Sequence, residues 1–243
     1  MRDGACWGQT QRALPDAPTG AIQSQPPSPM NATHSVAVRQ YHKGNVAEDL
    51  KLAALRILRS ERLEELSVRR LAREVGVTPA NFYNHFADLN DLILELGADA
   101  YLERAKLLAH IRRTAKTRSE AILQVAFSYL DLALHQPQMF RIMYGYLPEA
   151  QKHAGFRDAS DVSMGEIVEI VYGERRHDPA HLDETRERCK AAYGLVALGA
   201  GLARNVVEGI VPFSAEREAD MRRFVESVVQ TFIDGEFAAL AAG

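Results

Sequence analysis

The chain has 243 residues, 47% of them apolar and 25% charged, with a formal net charge of −3. That length can bury a real core in one or two domains, and the composition is that of an ordinary soluble globular protein. Two cysteines far apart, Cys6 and Cys189, exclude a disulfide framework or a cysteine-based zinc site. No apolar run reaches the roughly 18 residues of a membrane span, and the N-terminal segment lacks the apolar centre of a signal peptide. The expectation is a cytoplasmic protein with no membrane partner.

Residues 1–38 are rich in Pro, Gly, Ser, Thr and Gln and are expected to form a disordered tail. A first helix is predicted over about 45–60. Val46, Leu50, Ala53, Ala54, Ile57 and Leu58 share one face, and Asn45 is its N-cap. Leu63 and Leu66 follow as plugs for the core. Residues 67–86 read as two short helices joined by a tight turn at Gly76. Thr78 caps the second helix and Pro79 takes its first position, where no N–H is needed. Val68, Leu71, Ala72 and Val75 form one apolar stripe, and Val77, Phe82 and Phe86 form the other. That leaves Ala80, Asn81, Tyr83, Asn84 and His85 facing out.

Asp88 then caps a longer helix carrying Leu92, Ile93, Leu96, Tyr101, Leu102 and Leu108, in which Gly97 marks a bend or a close contact. Helices are predicted over about 119–135 and from Pro137 to Leu147, with Pro148 ending the second. Residues 149–159 read as loop, about 160–172 as a helix with Val162, Ile167, Val168 and Val171, and 173–181 as a turn. Two long helices, about 182–207 and 215–240, close the chain. Few segments alternate in the manner of strands, so the fold class is all-α: a helix-turn-helix domain over 39–88 and a helical domain over 89–243.

The last two helices carry seams. Ala192, Gly199 and Ala203 make a small-residue stripe, while Met221, Val225, Val228 and Phe232 make an apolar one. Such seams pair with a second copy in a four-helix bundle or bury into their own core. Phe127, Tyr129, Phe140, Met143, Tyr144 and Tyr193 are candidate ligand-binding residues, although such residues at helical spacing are more often plain core. His177 and His181 have a metal-compatible spacing, but Pro179 between them argues against a helix, and no metal or other cofactor is expected. No HExxH, GxSxG, P-loop or dinucleotide fingerprint occurs.

From Arg39 to Phe86 there are nine Lys and Arg against six acids. That mild excess is as compatible with a solvated surface as with DNA. A short capped helix showing amides, an imidazole and a phenol is better evidence, because it suits a DNA groove.

The combination resembles the TetR family of transcriptional regulators. The residues that carry the resemblance are Ser67-Val68-Arg69-Arg70-Leu71-Ala72, Val75-Gly76-Val77-Thr78, Phe82-Tyr83-Asn84-His85-Phe86 and Asp91-Leu92. Tyr41-His42-Lys43-Gly44-Asn45 looks like the opening of one subgroup, whose C-terminal motif is similar to the stretch from His135 to Gly145. Leu89 stands where many members carry a phosphate-binding lysine, and Tyr193-Gly194 departs from the subgroup's Trp-x-x-x-His-Gly element.

The resemblance implies a non-enzymatic, dimeric repressor of double-stranded DNA, released from a palindromic operator by an unknown small-molecule effector. Its two C-terminal helices would form the homodimer. DNA contacts are then expected to phosphate from Ser67, Thr78 and the helix start that Pro79 opens, with Tyr83 as phosphate anchor by the resemblance, and from Lys43 to phosphate or minor groove. Base readout falls to Asn81, Asn84 and His85, with Ala80 for a thymine methyl and Arg69 for a guanine edge or a phosphate. The alternatives are a regulator that answers to a protein partner or activates, and a helical enzyme whose helix-turn-helix is only architectural.

Overall fold

The computed structural model describes residues 45–145, 149–150, 152–173, 189–210 and 218–241, with side chains described as far as Gly235. The expected tail over 1–38, Lys43 with its lead-in, Leu147, Pro148, and the His177, Pro179 and His181 segment lie outside the described residues. So do 182–188 and 211–217. Among the described residues there are nine α-helices, one short 3₁₀ turn and no strand.

The helices are α1 (Val46–Leu58), α2 (Val68–Val75), α3 (Pro79–Phe82), α4 (Leu89–Thr114) and α5 (Arg118–His135). They continue with α6 (Pro137–Tyr144), α7 (Ala154–Tyr172), α8 (Lys190–Val207) and α9 (Glu218–Ala241). A 3₁₀ turn, Leu63–Glu65, joins α1 to α2. Most N-termini are closed by their own side chains. Asn45, Ser67, Thr78, Asp88 and Thr117 each accept from the backbone N–H three residues on, at 2.8–3.4 Å. Each satisfies a donor that the helix itself leaves orphaned.

The apolar side chains collect in two clusters. One joins Leu50, Ala54 and Ile57 of α1, Leu71 of α2, Phe82 of α3, Phe86, and Leu92 and Leu96 of α4 to Ile142 of α6 and Phe156 of α7. The other joins Leu108 and Ile111 of α4 to α5, the C-terminal half of α7, α8 and α9. Helix α4 enters both, so it ties the region of α1–α3 to the helices that follow. Gly97 marks a close contact rather than a bend. A Cβ there would come within 2.5 Å of the Phe156 ring, which is how α4 and α7 approach so closely.

Helix α7 begins at Ala154, where the sequence predicts loop as far as residue 159. Its first turn lacks the usual Ser, Thr, Asp or Asn cap. Instead, Nδ1 of His153 accepts from the Phe156 N–H at 3.0 Å. Only Phe156 and Ala159 of that turn face the core, so the pattern is too sparse to show as periodicity, and packing on α4 sets the helix start. On α4 and α7, Leu102 and Val162 are exposed although both were expected on a buried face. They border one surface depression with Lys106 and Ala109.

The stripe of α8 turns inward. Ala192, Gly199 and Ala203 are buried in their own chain. A Cβ on Gly199 would lie 2.6 Å from the Tyr129 ring. Of the α9 seam, Met221 and Val225 are buried, with Val229 and Ile233 beside them, but Val228 and Phe232 are half-buried, and Phe224 of α9 and Val207 of α8 keep substantial exposure. The α8 stripe thus serves the chain's own core, and the α9 seam does so in part.

Candidate nucleic-acid interface and interior cavities

The turn between α2 and α3 is built by Gly76, whose φ of +78° closes α2 in the left-handed region. The Val77 N–H returns to the Ala72 carbonyl at 2.9 Å. Phe82 is completely buried and stacks at 5.5 Å on both Tyr83 and Phe86. These contacts make α3 a rigid platform although it has only four helical residues.

Of the sequence-predicted contact residues, Ser67, Arg69, Thr78, Pro79, Ala80, Tyr83, Asn84 and His85 are all exposed. Tyr83 is 58% exposed, its ring edge held against Phe82, so the phenol projects from an anchored base. The Ser67 and Thr78 hydroxyls are engaged as cap acceptors, and each retains a proton to donate to a phosphate oxygen. Asn81 departs from its predicted outward orientation. It is half-buried, and its Oδ1 is shielded without a hydrogen-bond partner. A helix of little more than one turn leaves position 81 beside buried Phe82 rather than across from it.

Two neighbouring arginines divide. Arg70 makes a two-pronged pair with Glu61, at 2.6 Å for each prong. Hydrogen bonding to that guanidinium lowers the Glu61 pKa. Arg69, one position earlier, is exposed and pairs with no acid among the described residues. The sequence does not distinguish the two; Glu61, in the loop before α2, does. Leu89, at the first position of α4, packs against the first apolar cluster.

The same head is wired to α6. Arg141 reaches Glu64 at 2.8 and 3.3 Å, and Gln138 Oε1 accepts from the Leu63 N–H at 3.0 Å. Hydrogen bonds from Arg141 hold the Glu64 carboxyl down at about 2. Across the top of α1, Lys51 pairs with Asp99 of α4 at 2.7 Å.

Two cavities lie behind the head. The first, about 400 Å³, has an apolar wall of Leu55 from α1, Leu96 and Leu107 from α4, Leu132 from α5, and Met139 and Met143 from α6. Arg104, Ser128, Gln136, Asp99 and Glu103 are its polar groups. The second, about 380 Å³, is bordered by Tyr101, Tyr129, Tyr144, Tyr193, Ser163 and Met164. Of the sequence-predicted ligand residues, Met143 lines the first cavity and Tyr129, Tyr144 and Tyr193 the second. Phe127 and Phe140 line neither. Phe127 lies under the Arg222 guanidinium of α9 at 5.3 Å, and Phe140 stacks on Tyr144 at 5.3 Å.

Arg104 is the residue that sequence reasoning missed. It is 6% exposed, its guanidinium lies 4.0 Å from the centre of the Tyr129 ring, and Nη1 donates to Ser128 Oγ at 3.0 Å. Its signal was present in the sequence: Tyr101, Arg104, Leu108 and Ile111 follow at steps of three, four and three, so an arginine stands on the buried stripe of α4. Burial raises the pKa of the Tyr101 and Tyr144 phenols, so neither supplies a negative charge near neutral pH.

The description of bacterial regulatory proteins of the tetR family matches residues 52–96, which span α1 to the first half of α4. Over 107 residues the chain is 29% identical to an uncharacterized HTH-type transcriptional regulator of Haemophilus influenzae. The match covers 44% of this chain and 52% of that protein, so the chain spans about half the length of this relative. The fold is similar to that of a protein of unknown function from Rhodococcus sp. RHA1, with a TM-score of 0.62 and 24% identity, covering 81% of this chain and 98% of that one. It is also similar to a TetR transcriptional regulator from Rhodococcus sp. RHA1, with a TM-score of 0.56 and 14% identity, covering 78% and 96%. At these identities the two structures establish the fold.

Proposed function

We propose that the chain is a TetR-type bacterial regulator, supported by the match over residues 52–96 and by the regulator it resembles, and that it is a non-enzymatic, sequence-specific DNA-binding repressor, acting as a homodimer on a palindromic operator and released by a small-molecule effector. The observation that carries this reading is the polar face of α2 and α3 standing on a closed apolar core. Tyr83, Asn84, His85 and Arg69 are exposed there, while Phe82 and Leu71 are fully buried beneath them. Such a face meets a major groove without giving up core packing.

Phosphate contacts fall to the Tyr83 phenol, the Ser67 and Thr78 hydroxyls and Lys43. Base contacts fall to Asn84, His85, Arg69 and Ala80, with the amide nitrogen of Asn81 beside them. We assign DNA reading to residues 39–88 and effector binding and dimerisation to 89–243.

The contacts behind the head support release by a ligand. The first cavity touches α1 through Leu55 and α6 through Met139 and Met143. Helix α6 in turn holds the loop before α2 through Arg141 and Gln138. A ligand that spreads α4 from α6 thus reorients both α1 and the α2–α3 pair, and ligand and DNA oppose one another by linkage.

The test is footprinting of the full chain on the DNA flanking its own coding region, followed by anisotropy titration. Protection of a two-fold symmetric site is expected, and Tyr83→Ala is expected to weaken binding at least tenfold with an unchanged thermal midpoint. Uniform, sequence-independent protection, or full affinity in the variant, would count against the reading.

A further inference from the structure

Arg104 brings a full positive charge into the body of the protein with incomplete compensation. Its Nη1 has Ser128, but Nε and Nη2 are buried and have no hydrogen-bond partner. Among the described residues no carboxylate reaches the guanidinium. The two acids on the rim of the first cavity are drawn elsewhere, Asp99 to Lys51 at 2.7 Å and Glu103 to Lys106 at 2.6 Å. The rings of Tyr129 and Tyr144, 4.0 and 5.9 Å away, attract the cation, and the Tyr129 side chain lies close enough to favour its charged form further.

The unpartnered pair has a particular shape. Nε–H and Nη2–H are the two parallel donors on one side of a guanidinium, the fork that a carboxylate engages with both oxygens. Arg104 and Ser128 both border the 400 Å³ cavity, whose lining is otherwise mostly leucine and methionine, with Gln136 and the two ion-paired acids as its other polar groups. The Ser128 hydroxyl, which donates to the Val125 carbonyl at 2.6 Å, holds Nη1 in place, so the one fixed cation balances a single negative charge and the apolar wall takes an uncharged tail.

We propose that this cavity binds a monocarboxylate with an apolar alkyl or aromatic body, its carboxylate seated on the Nε and Nη2 fork of Arg104, whose guanidinium Ser128 positions through Nη1. This rests on the reading of the cavity as the effector site and gives that effector its chemical class. A dianion leaves one charge unbalanced at this site, and a neutral isostere leaves the guanidinium as it stands.

The test is calorimetric titration of the full-length protein at pH 7.5 with decanoate and 2-naphthoate, each against its neutral amide. At least one acid is expected to bind ten or more times tighter than its amide. Arg104→Met should bring acid and amide within twofold of each other, and Arg104→Lys, which keeps the charge but loses the fork, should fall between. Equal affinity of acid and amide in the wild type, or binding of neither acid, overturns the proposal without recourse to any variant. A folded Arg104→Met protein that keeps the tenfold preference overturns it too. Should Arg104→Met fail to fold, Ser128→Ala gives the second reading: a several-fold loss for the acid alone is expected, and an equal loss for acid and amide overturns the assignment. DNA affinity measured beside these titrations separates the two ideas. Acid preference with unaltered DNA binding leaves the anion site standing and refutes the effector reading.

Discussion

In the head, the polar side chains stand outside a closed core; in the body, the most polar side chain of all, Arg104, stands inside. The head can present Tyr83, Asn84, His85 and Arg69 to a partner because Phe82, Phe86, Leu71 and Leu50 already pack without them. In the body, Arg104 is packed among Tyr129, Tyr144 and Ser128, and the folded chain leaves two of its donors unmet. Stripping an ion of water costs on the order of several kcal/mol unless it is paired, so such a group is unusual in a region that serves stability alone. The exposed polar groups of the head cost nothing to hold in water, and the buried one in the body does. That difference separates a surface ready to bind from an interior that binding would complete.

The comparison breaks most severely if the head's core is opened. Phe82→Ala removes a fully buried ring and is expected to cost about 3–5 kcal/mol. DNA binding should be lost while the α5, α8 and α9 core survives. Hydrogen exchange resolved by segment checks this, and equal loss of protection in α5 would show that the two regions unfold as one.

A smaller effect is expected at the face of α8 and α9 left uncovered by the chain's own core. Phe224→Glu places a charge at an exposed position of α9. It should raise the dimer dissociation constant at least a hundredfold, about 3 kcal/mol at the interface, with little change in monomer folding. Light scattering across a concentration series measures it. An unaltered dimer would move the interface elsewhere.

Smaller again, Gly199→Ala sets a methyl group against the Tyr129 ring and is expected to destabilise by about 1–3 kcal/mol through overpacking. Denaturant titration gives the value. No loss would mean that α8 is free to slide away from α5.

The least effect is expected at the exposed link between head and body. With its folded pKa lowered to about 2 from an ordinary 4.5, Glu64 contributes fully above about pH 4.5. That contribution fades as pH falls through about 2. Glu64→Gln should therefore lie slightly below the wild type in thermal midpoint from pH 5 to 8, the gap closing on acidification. A gap that widens at low pH would reverse the assignment.

The sequence alone determined what depends on near neighbours. Caps at Asn45, Ser67, Thr78 and Asp88, the glycine turn at Gly76 and the proline openings at Pro79 and Pro137 all act within about one helical turn, so their residues announce them. The exposed face of the head followed, because helical periodicity separates Phe82 from Tyr83 and Asn84. Tertiary structure decided what depends on distant partners. Helix α7 starts at Ala154 because α4 receives it, not because of any local cap of the usual kind. The stripe of Ala192, Gly199 and Ala203 fits the Tyr129 ring of its own chain, a contact that spacing cannot tell from a meeting with a second copy. Arg70 is held and Arg69 is exposed because Glu61 folds back onto one of them. Arg104 occupied a buried register in the sequence, but whether a buried arginine is paired depends on which helices bring carboxylates to it. Here none of the described residues does, and only the packed arrangement of α4, α5 and α6 shows the cavity that the unmet fork adjoins.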